Sequence, residues 1–280
     1  MRVSGYDNTI LEKSLLYAKT LFTARDAKSF CKAFLVKLED ELLVERLGYA
    51  RRFGAVKRDV VNFDISFYCD NHAVSIYYEI FGVCAYTFFR DFMPGNGDIV
   101  VDLGANQGIF TCYAAKRAQR GWVYAVEPDA ENLSWLKAHL ELNHISNATV
   151  VPKCAGDHTG KSYFRKGDSS GTGCVVDASE HGPDIVEVDQ VTLEDLMAAY
   201  GLPKIDLLKI DVEGFEAKVL SGAHGRLGSI RRIVLEYHSP ALGQEVAEIL
   251  QEKGFRMRQA PGSIRSHILY FENNALCPVQ

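Results

Sequence analysis

The stretch GDIVVDLGANQGIFTCYAAK, Gly97 to Lys116, constrains this chain more than any other. Ile99 to Leu103 is apolar except at Asp102, the pattern of a short strand buried on both faces, and Gly104 to Gly108 then form a sharp turn that launches a helix. A glycine at each end of that turn lets a bound group lie against the backbone, while the amides opening the helix point at it. Glu127 follows about 20 residues later, at the end of a second apolar run from Trp122 to Val126. A carboxylate there can accept hydrogen bonds from the hydroxyls of a ribose, so the segment is predicted to be a nucleoside-binding βαβ half.

The spacing of the turn selects among nucleosides. A dinucleotide fingerprint requires G-x-G-x-x-G, whereas this chain has Gly104, Asn106 and Gly108, with asparagine at the middle glycine position. A pyrophosphate would sit poorly there, and Asp102 just before the turn suits a cationic group better than phosphate oxygens. S-adenosylmethionine, with its ammonium, sulfonium and ribose, matches that charge arrangement.

Four motifs in order, DLGANQG, VEPD, KIDVEGFE and IVLEYH, resemble the FkbM family of S-adenosylmethionine-dependent methyltransferases. The resemblance runs from about Asp98 to about Glu272 and leaves the first ninety residues uncovered. It implies a seven-stranded, mostly parallel, doubly wound class I methyltransferase sheet of Rossmann-like α/β type, and an O-methyltransferase of a sugar or small-molecule hydroxyl. Carried onto this sequence, it implies that Ala105, Pro128, Ala155, Gly156 and Asp157 join Asp102, Gly104, Asn106, Gly108 and Glu127 around the cofactor, with Asp157 near the adenine amine. Asn132 reads instead as support for a helix start.

At 280 residues and 47% hydrophobic, the chain is long enough for one large α/β domain and an accessory segment. No apolar run approaches the length of a membrane span, and MRVSGYDNTILEK lacks the apolar core of a signal peptide, which predicts residence in the cytoplasm. Seven cysteines without a CxxC pair speak against a disulfide framework and a zinc site. Residues 1 to 60 carry 12 Lys/Arg against 8 Asp/Glu, leaving 19 against 28 in the rest. That acidic remainder disfavours nucleic acid as a partner, and the cluster Arg51, Arg52, Lys57 and Arg58 reads as a solvated face or subunit contact.

Apolar spacings of three and four predict helices over Thr9 to about Leu47, which either cap the catalytic domain or pair with a second copy of the chain. Val60 to Cys69 alternates like a strand, and Val74 to Tyr78 could return as a hairpin. The boundary is expected at MPGNG, giving a helical and hairpin extension over 1–92 and the methyltransferase domain over 93–280. From there strands are predicted at 99–103, 122–126, 148–152, 205–210, 231–236, 255–259 and 266–271, with an antiparallel edge strand at the close. Arg165 to Asp184, rich in Gly, Ser and Asp, reads as a substrate-facing lid.

The polar anomalies of the later strands fall at their carboxyl ends, where open α/β sheets bind ligands. Lys209 and Asp211 share one face of a central strand, and a lysine there demands a partner. Asp211, Glu213, Glu236 and His238 form a cluster suited to taking a proton from a weak nucleophile, with Asp211 the first choice of base and His238 the second. Asp211, Glu236 and His238 also offer divalent-metal ligands, although no metal is assigned, because their order differs from the Asp, Asp, Asn pattern of catechol-type enzymes. Two rivals remain at this stage: a nicotinamide-dependent reductase, and a methyltransferase-like binding protein without catalysis.

Overall fold

The computed structural model describes residues 59–62, 65–68, 76, 78–82, 84–167, 173–177, 179–260 and 267–277. They belong to two compact units that divide between Cys84 and Ala85. The division lies eight residues before the expected one, because residues 85–92 are bound to the larger unit. The Tyr270 hydroxyl donates to the Ala85 carbonyl, and Phe92, fully buried, packs edge-on against the Tyr270 ring at 5.1 Å. The helices expected over Thr9 to Leu47 and the basic cluster from Arg51 to Arg58 lie outside the described residues.

In the smaller unit, β1 (Asp59–Asn62) and β2 (Ile65–Tyr68) pair antiparallel. The single strand expected over 60–69 is therefore a hairpin in itself. Its period-two pattern continues through both arms, so alternation alone does not mark the reversal. Ile65 and Phe67 bury one face, and Phe67 meets Phe81 at 5.9 Å. The return strand expected over Val74 to Tyr78 lies mostly outside the described residues, and Tyr78–Gly82 forms a wide helical turn.

The larger unit alternates strands and helices. Its elements in chain order are β3 (Ile99–Leu103), α1 (Ile109–Arg117), β4 (Trp122–Val126), α2 (Ala130–Leu142) and β5 (Ala148–Val151). Next come β6 (Cys154–Ala155), β7 (Gly160–Arg165), β8 (Cys174–Val176), β9 (Ile185–Val191) and α3 (Leu193–Ala199). The chain closes with β10 (Leu207–Ile210), α4 (Glu216–Ser221), β11 (Arg232–Glu236), α5 (Pro240–Glu252), β12 (Phe255–Gln259) and β13 (Ile268–Asn273). Three helices begin where a side chain takes up orphan amides: Asp129 accepts from Glu131 and Asn132, Thr192 from Asp195, and Ser239 from Leu242.

Seven strands form the main sheet in the order β12-β13-β11-β10-β3-β4-β5. All neighbours are parallel except β13, which runs antiparallel to both β11 and β12. The reversed strand expected at the edge is thus second from it, since β12 and β13 are a hairpin whose second arm inserts beside β11. Winding reverses between β3 and β10, and both are buried along nearly their whole length.

A second sheet of order β6-β9-β7-β8 is inserted between β5 and β10. It takes up part of the lid expected over Arg165 to Asp184, where Cys174–Val176 pairs antiparallel with Tyr163–Arg165, and beyond the lid Ile185–Val191 pairs with Gly160–Arg165. Gly173 lies so tightly on the Phe164 ring that a Cβ there would collide with it.

The turn after β3 is shaped by backbone crowding. Gly104 has φ 74°, and a Cβ on it would overlap the carbonyl oxygen of Asp211 at the tip of β10. Gly201, with φ 61° and open space around it, has the same left-handed backbone without the crowding. Urea unfolding should separate the two causes. Gly201→Ala is expected to cost about 1 kcal/mol, and Gly104→Ala about 3 kcal/mol or more, because the two strand tips must also part.

Candidate active site

Above the switch point, one cleft is bounded by Gly104, Asn106, Val126, Glu127, Pro128 and Asn132 on the β3 and β4 side. Lys153, Cys154, Ala155, Phe164, Gly173 and Val175 form a second wall, and Asp211, Val212 and Glu213 close the third. Glu127 is held by the turn it faces. Its Oε2 accepts from the Asn106 amide at 2.8 Å, and its Oε1 from the Asp129 amide at 2.9 Å and the Asn132 side-chain amide at 3.3 Å. An ionised carboxylate has roughly four acceptor positions, so three are used and one remains on Oε2. Burial pushes its pKa up to about 7, against the pull of those donors. The turn is also braced from behind, where the buried His139 of α2 meets the Gln107 carbonyl at 2.7 Å.

Of the residues expected around a cofactor, Gly104, Asn106, Glu127, Pro128 and Ala155 line this cleft, and Asp102, Ala105, Gly108, Gly156 and Asp157 do not. Asp102 is fully buried, and its carboxylate is taken by the Thr111 hydroxyl at 2.6 Å and the Lys209 ammonium at 3.1 Å. The cation that it answers belongs to the chain itself. Gly108 is needed for packing, since a Cβ there would meet Leu136 of α2. Asp157 turns to His158 at 2.9 Å and Lys218 at 3.0 Å. Asn132, read from sequence as helix support, lines the cleft, and Phe164 and Val175 contribute apolar surface from the second sheet.

The expected catalytic residues do come together. Lys209, 3% exposed, donates to the Gly104 carbonyl at 2.9 Å and lies 3.6 Å from Asp211 as well as 3.1 Å from Asp102. Its ammonium also sits over the Tyr86 ring at 5.0 Å. His238 is clamped between carboxylates: Nδ1 meets Glu216 at 3.0 Å, and Nε2 faces Glu213 at 3.2 Å and Asp211 at 3.9 Å. Glu236 reaches His267 at 3.2 Å. The Tyr86 hydroxyl stands between Asp211, at 3.0 Å, and Glu236, at 2.9 Å. Sequence reading missed Tyr86, His267 and Glu216. Only Glu216 carried a local signal, because it follows Glu213 by three residues and caps the Gly214 amide.

Glu213 occupies a left-handed conformation, φ 53°, followed by Gly214 at 99°. Such backbone is unusual for a non-glycine residue and tends to mark a functional site. Burial pushes the Glu213 carboxyl up to about 7, with His238 pulling the other way. Asp211 is also raised, by burial and the charge of Glu236, against the attraction of Lys209. Burial would raise Glu236 too, but His267 and the Tyr86 hydroxyl bring it below the usual glutamate range. His238 rises to about 9 despite burial, because of the Glu216 hydrogen bond and the charges of Glu213 and Asp211. An imidazolium has no lone pair with which to take a proton, so the upward shift weighs against His238 as the base. Donor atoms of Asp211, Glu213 and His238 lie within 4.8 Å of one another, and their negative charge is met by the imidazolium and Lys209. The Cys154 thiol, pushed up by burial to about 12, is no nucleophile.

A parallel sheet wound on both faces, with its strand order reversing between β3 and β10 and one antiparallel strand next to its far edge, is the class I methyltransferase fold. Residues 102–257 match the methyltransferase FkbM domain, and the chain belongs to that family. Methyltransferase sdnD of Sordaria araneosa is 27% identical over 219 residues, 64% of this chain and 81% of that protein. The 31-O-demethyl-FK506 methyltransferase FkbM of Streptomyces tacrolimicus is 30% identical over 192 residues, 57% of this chain and 73% of that protein. Hexuronic acid methyltransferase AglP of Haloferax volcanii is 26% identical over 157 residues, 55% of this chain and 62% of that protein. Membership of a methyltransferase family displaces the nicotinamide reductase. No helix among the described residues is long and apolar enough to cross a membrane.

Two measurements check the electrostatics. Lys209→Met leaves Asp102 charged and buried without its partner and is expected to cost about 3–5 kcal/mol in urea unfolding. The His238 imidazole is raised from 6.5 to about 9, so its contribution to stability is complete below pH 6.5 and disappears as pH rises through 9. The raised Glu213 carboxyl acts in a separate window, since its contribution is lost between 4.5 and about 7. The decline in stability of the wild type between pH 6.5 and 9 should therefore flatten in His238→Gln.

Proposed function

We propose that the chain is an S-adenosylmethionine-dependent O-methyltransferase that methylates a hydroxyl of a sugar or small-molecule natural product. One observation carries the reading: a single cleft joins a nucleoside-type wall at Glu127 to a carboxylate pair at Asp211 and Glu213. The fit of the donor rests on the acceptor position left on Glu127 Oε2, which suits a ribose hydroxyl. Gly104, Asn106, Pro128 and Ala155 bring backbone and small side chains to the same wall. The donor, when bound, supplies a methyl group on a sulfonium. Asp102 acts at one remove, by holding Lys209.

Asp211 is the base in this reading. Its carboxylate lines the cleft, and Lys209 on one side and Tyr86 on the other fix its direction. Removing the acceptor's proton and holding its oxygen in line are what such a transfer asks of the protein. Glu213 and the His238 imidazolium shape the field beside it, and Glu236 acts through Tyr86. Acceptors named for two relatives, 31-O-demethyl-FK506 and hexuronic acid, support a hydroxyl of that kind. The acidic balance of the chain beyond residue 60 supports a small molecule over nucleic acid.

Calorimetry with S-adenosylhomocysteine tests the cofactor, and absence of binding would refute the proposal. Asp211→Asn is expected to bind the same ligand within a few-fold while losing methyl transfer to sugar and polyol acceptors. Donor binding without transfer to any acceptor would instead mark a non-catalytic binding protein. Because the Glu127 carboxyl is pushed up to about 7 and its ionised form accepts more strongly from the ribose, affinity should fall as pH drops below 7. The limiting slope is about tenfold per unit, and Glu127→Gln should bind more weakly with no such slope.

A further inference from the structure

Tyr86 stands outside every motif of the family, yet its hydroxyl oxygen lies 3.0 Å from Asp211 Oδ2 and 2.9 Å from Glu236 Oε2. A phenol has one proton and can donate to only one of these carboxylates. The second contact is a hydrogen bond only if the other carboxyl carries a proton and donates it to the phenol oxygen. Two charged carboxylates on one hydroxyl would otherwise repel at a site where Tyr86 is 3% exposed, and Lys209 and His238, the cations nearest Asp211, also serve Asp102, Glu213 and Glu216. We propose that Asp211, Tyr86 and Glu236 share one proton beyond that of the phenol, and that Tyr86 is the positioning residue through which Asp211 passes it on.

The surroundings say which end holds the proton at rest. Glu236 has His267 at 3.2 Å on its other oxygen, which favours the charged carboxylate. Asp211 faces Glu236 through Tyr86, with Lys209 at 3.6 Å and His238 at 3.9 Å opposing and Glu213 adding negative charge beyond the imidazole. Both cations near Asp211 are shared with other carboxylates, Lys209 with Asp102 and His238 with Glu213 and Glu216, whereas His267 sits on Glu236. That places the extra proton at the Asp211 end, the direction in which burial and Glu236 move its carboxyl. The inference rests on the proposed role of Asp211 as base, and it changes how that role is filled. Asp211 first gives its proton to the Tyr86 oxygen while Tyr86 gives its own to Glu236. Asp211 can then take the proton of the acceptor hydroxyl. Glu236 releases the surplus through His267, whose side chain is 33% exposed, and one proton leaves per turnover.

Infrared spectroscopy of the ligand-free protein in deuterium oxide near neutral pH tests the shared proton without donor or acceptor. Glu127 and Glu213 also titrate near 7, so the assignment is made by difference. The wild type minus Asp211→Asn spectrum is expected to contain the carbonyl band of a protonated carboxyl. That band should move to higher frequency in Tyr86→Phe, which keeps the ring and removes the acceptor of the acid proton. In Glu236→Gln it should give way to a carboxylate band, because the negative neighbour is gone. Circular dichroism checks that each variant is folded, and a merely structural Tyr86 would leave the carboxyl band in place. No Asp211-dependent band in the wild type, or a band unmoved in folded Tyr86→Phe, overturns the proposal. Failure of S-adenosylhomocysteine to bind would sink the assigned reaction and leave this result untouched.

Discussion

A lysine ammonium sealed between two aspartates governs the centre of this molecule. Lys209 leaves water at the tip of β10, and that desolvation is tolerable because the Asp102 carboxylate from β3 and the Gly104 carbonyl hold it, with the Asp211 carboxyl alongside. The same contacts tie together the two strands between which the winding reverses. The pair therefore fixes the place where an open α/β sheet offers its ligand crevice. It also commits Asp102 to Lys209 and Thr111 within the protein.

Crowding around that pair explains why the turn after β3 needs glycine. The Gly104 backbone passes against the Asp211 carbonyl, and Gly108 passes against Leu136, so the two glycines serve packing as much as access. The carboxylates around the cleft then differ in proton affinity although they are chemically alike. Glu127 and Glu213 are lifted by burial, Asp211 by burial and a like charge, and Glu236 is lowered by a histidine and a phenol. Position alone divides these groups into those that hold protons and those that give them up.

Much of the main sheet was legible in advance, because strands buried on both faces read as apolar runs and surface helices repeat every three or four residues. The second sheet was not. Its strand Cys174–Val176 is three residues long and sits within a Gly- and Ser-rich stretch, which carries the composition of a loop. The hairpin at Asp59–Tyr68 was hidden for the opposite reason, since an uninterrupted alternation fits one strand or two. At the site, Lys209 announced itself as a charge in an apolar strand. Tyr86 gave no signal, being one aromatic among many, 125 residues from Asp211 and 150 from Glu236.

The sequence by itself determined the sheet class, the glycine turn with its facing glutamate and the set of charged residues that would gather at the strand ends, since periodicity and spacing are local and strand ends converge by topology. Only the tertiary structure decided how those charges are divided. Asp102 turns inward to Lys209, His238 becomes a cation between carboxylates, and Tyr86 joins Asp211 to Glu236. The physical reason is that a side chain's charge state depends on its burial and on neighbours brought in from distant parts of the chain, and neither is written in the residues beside it.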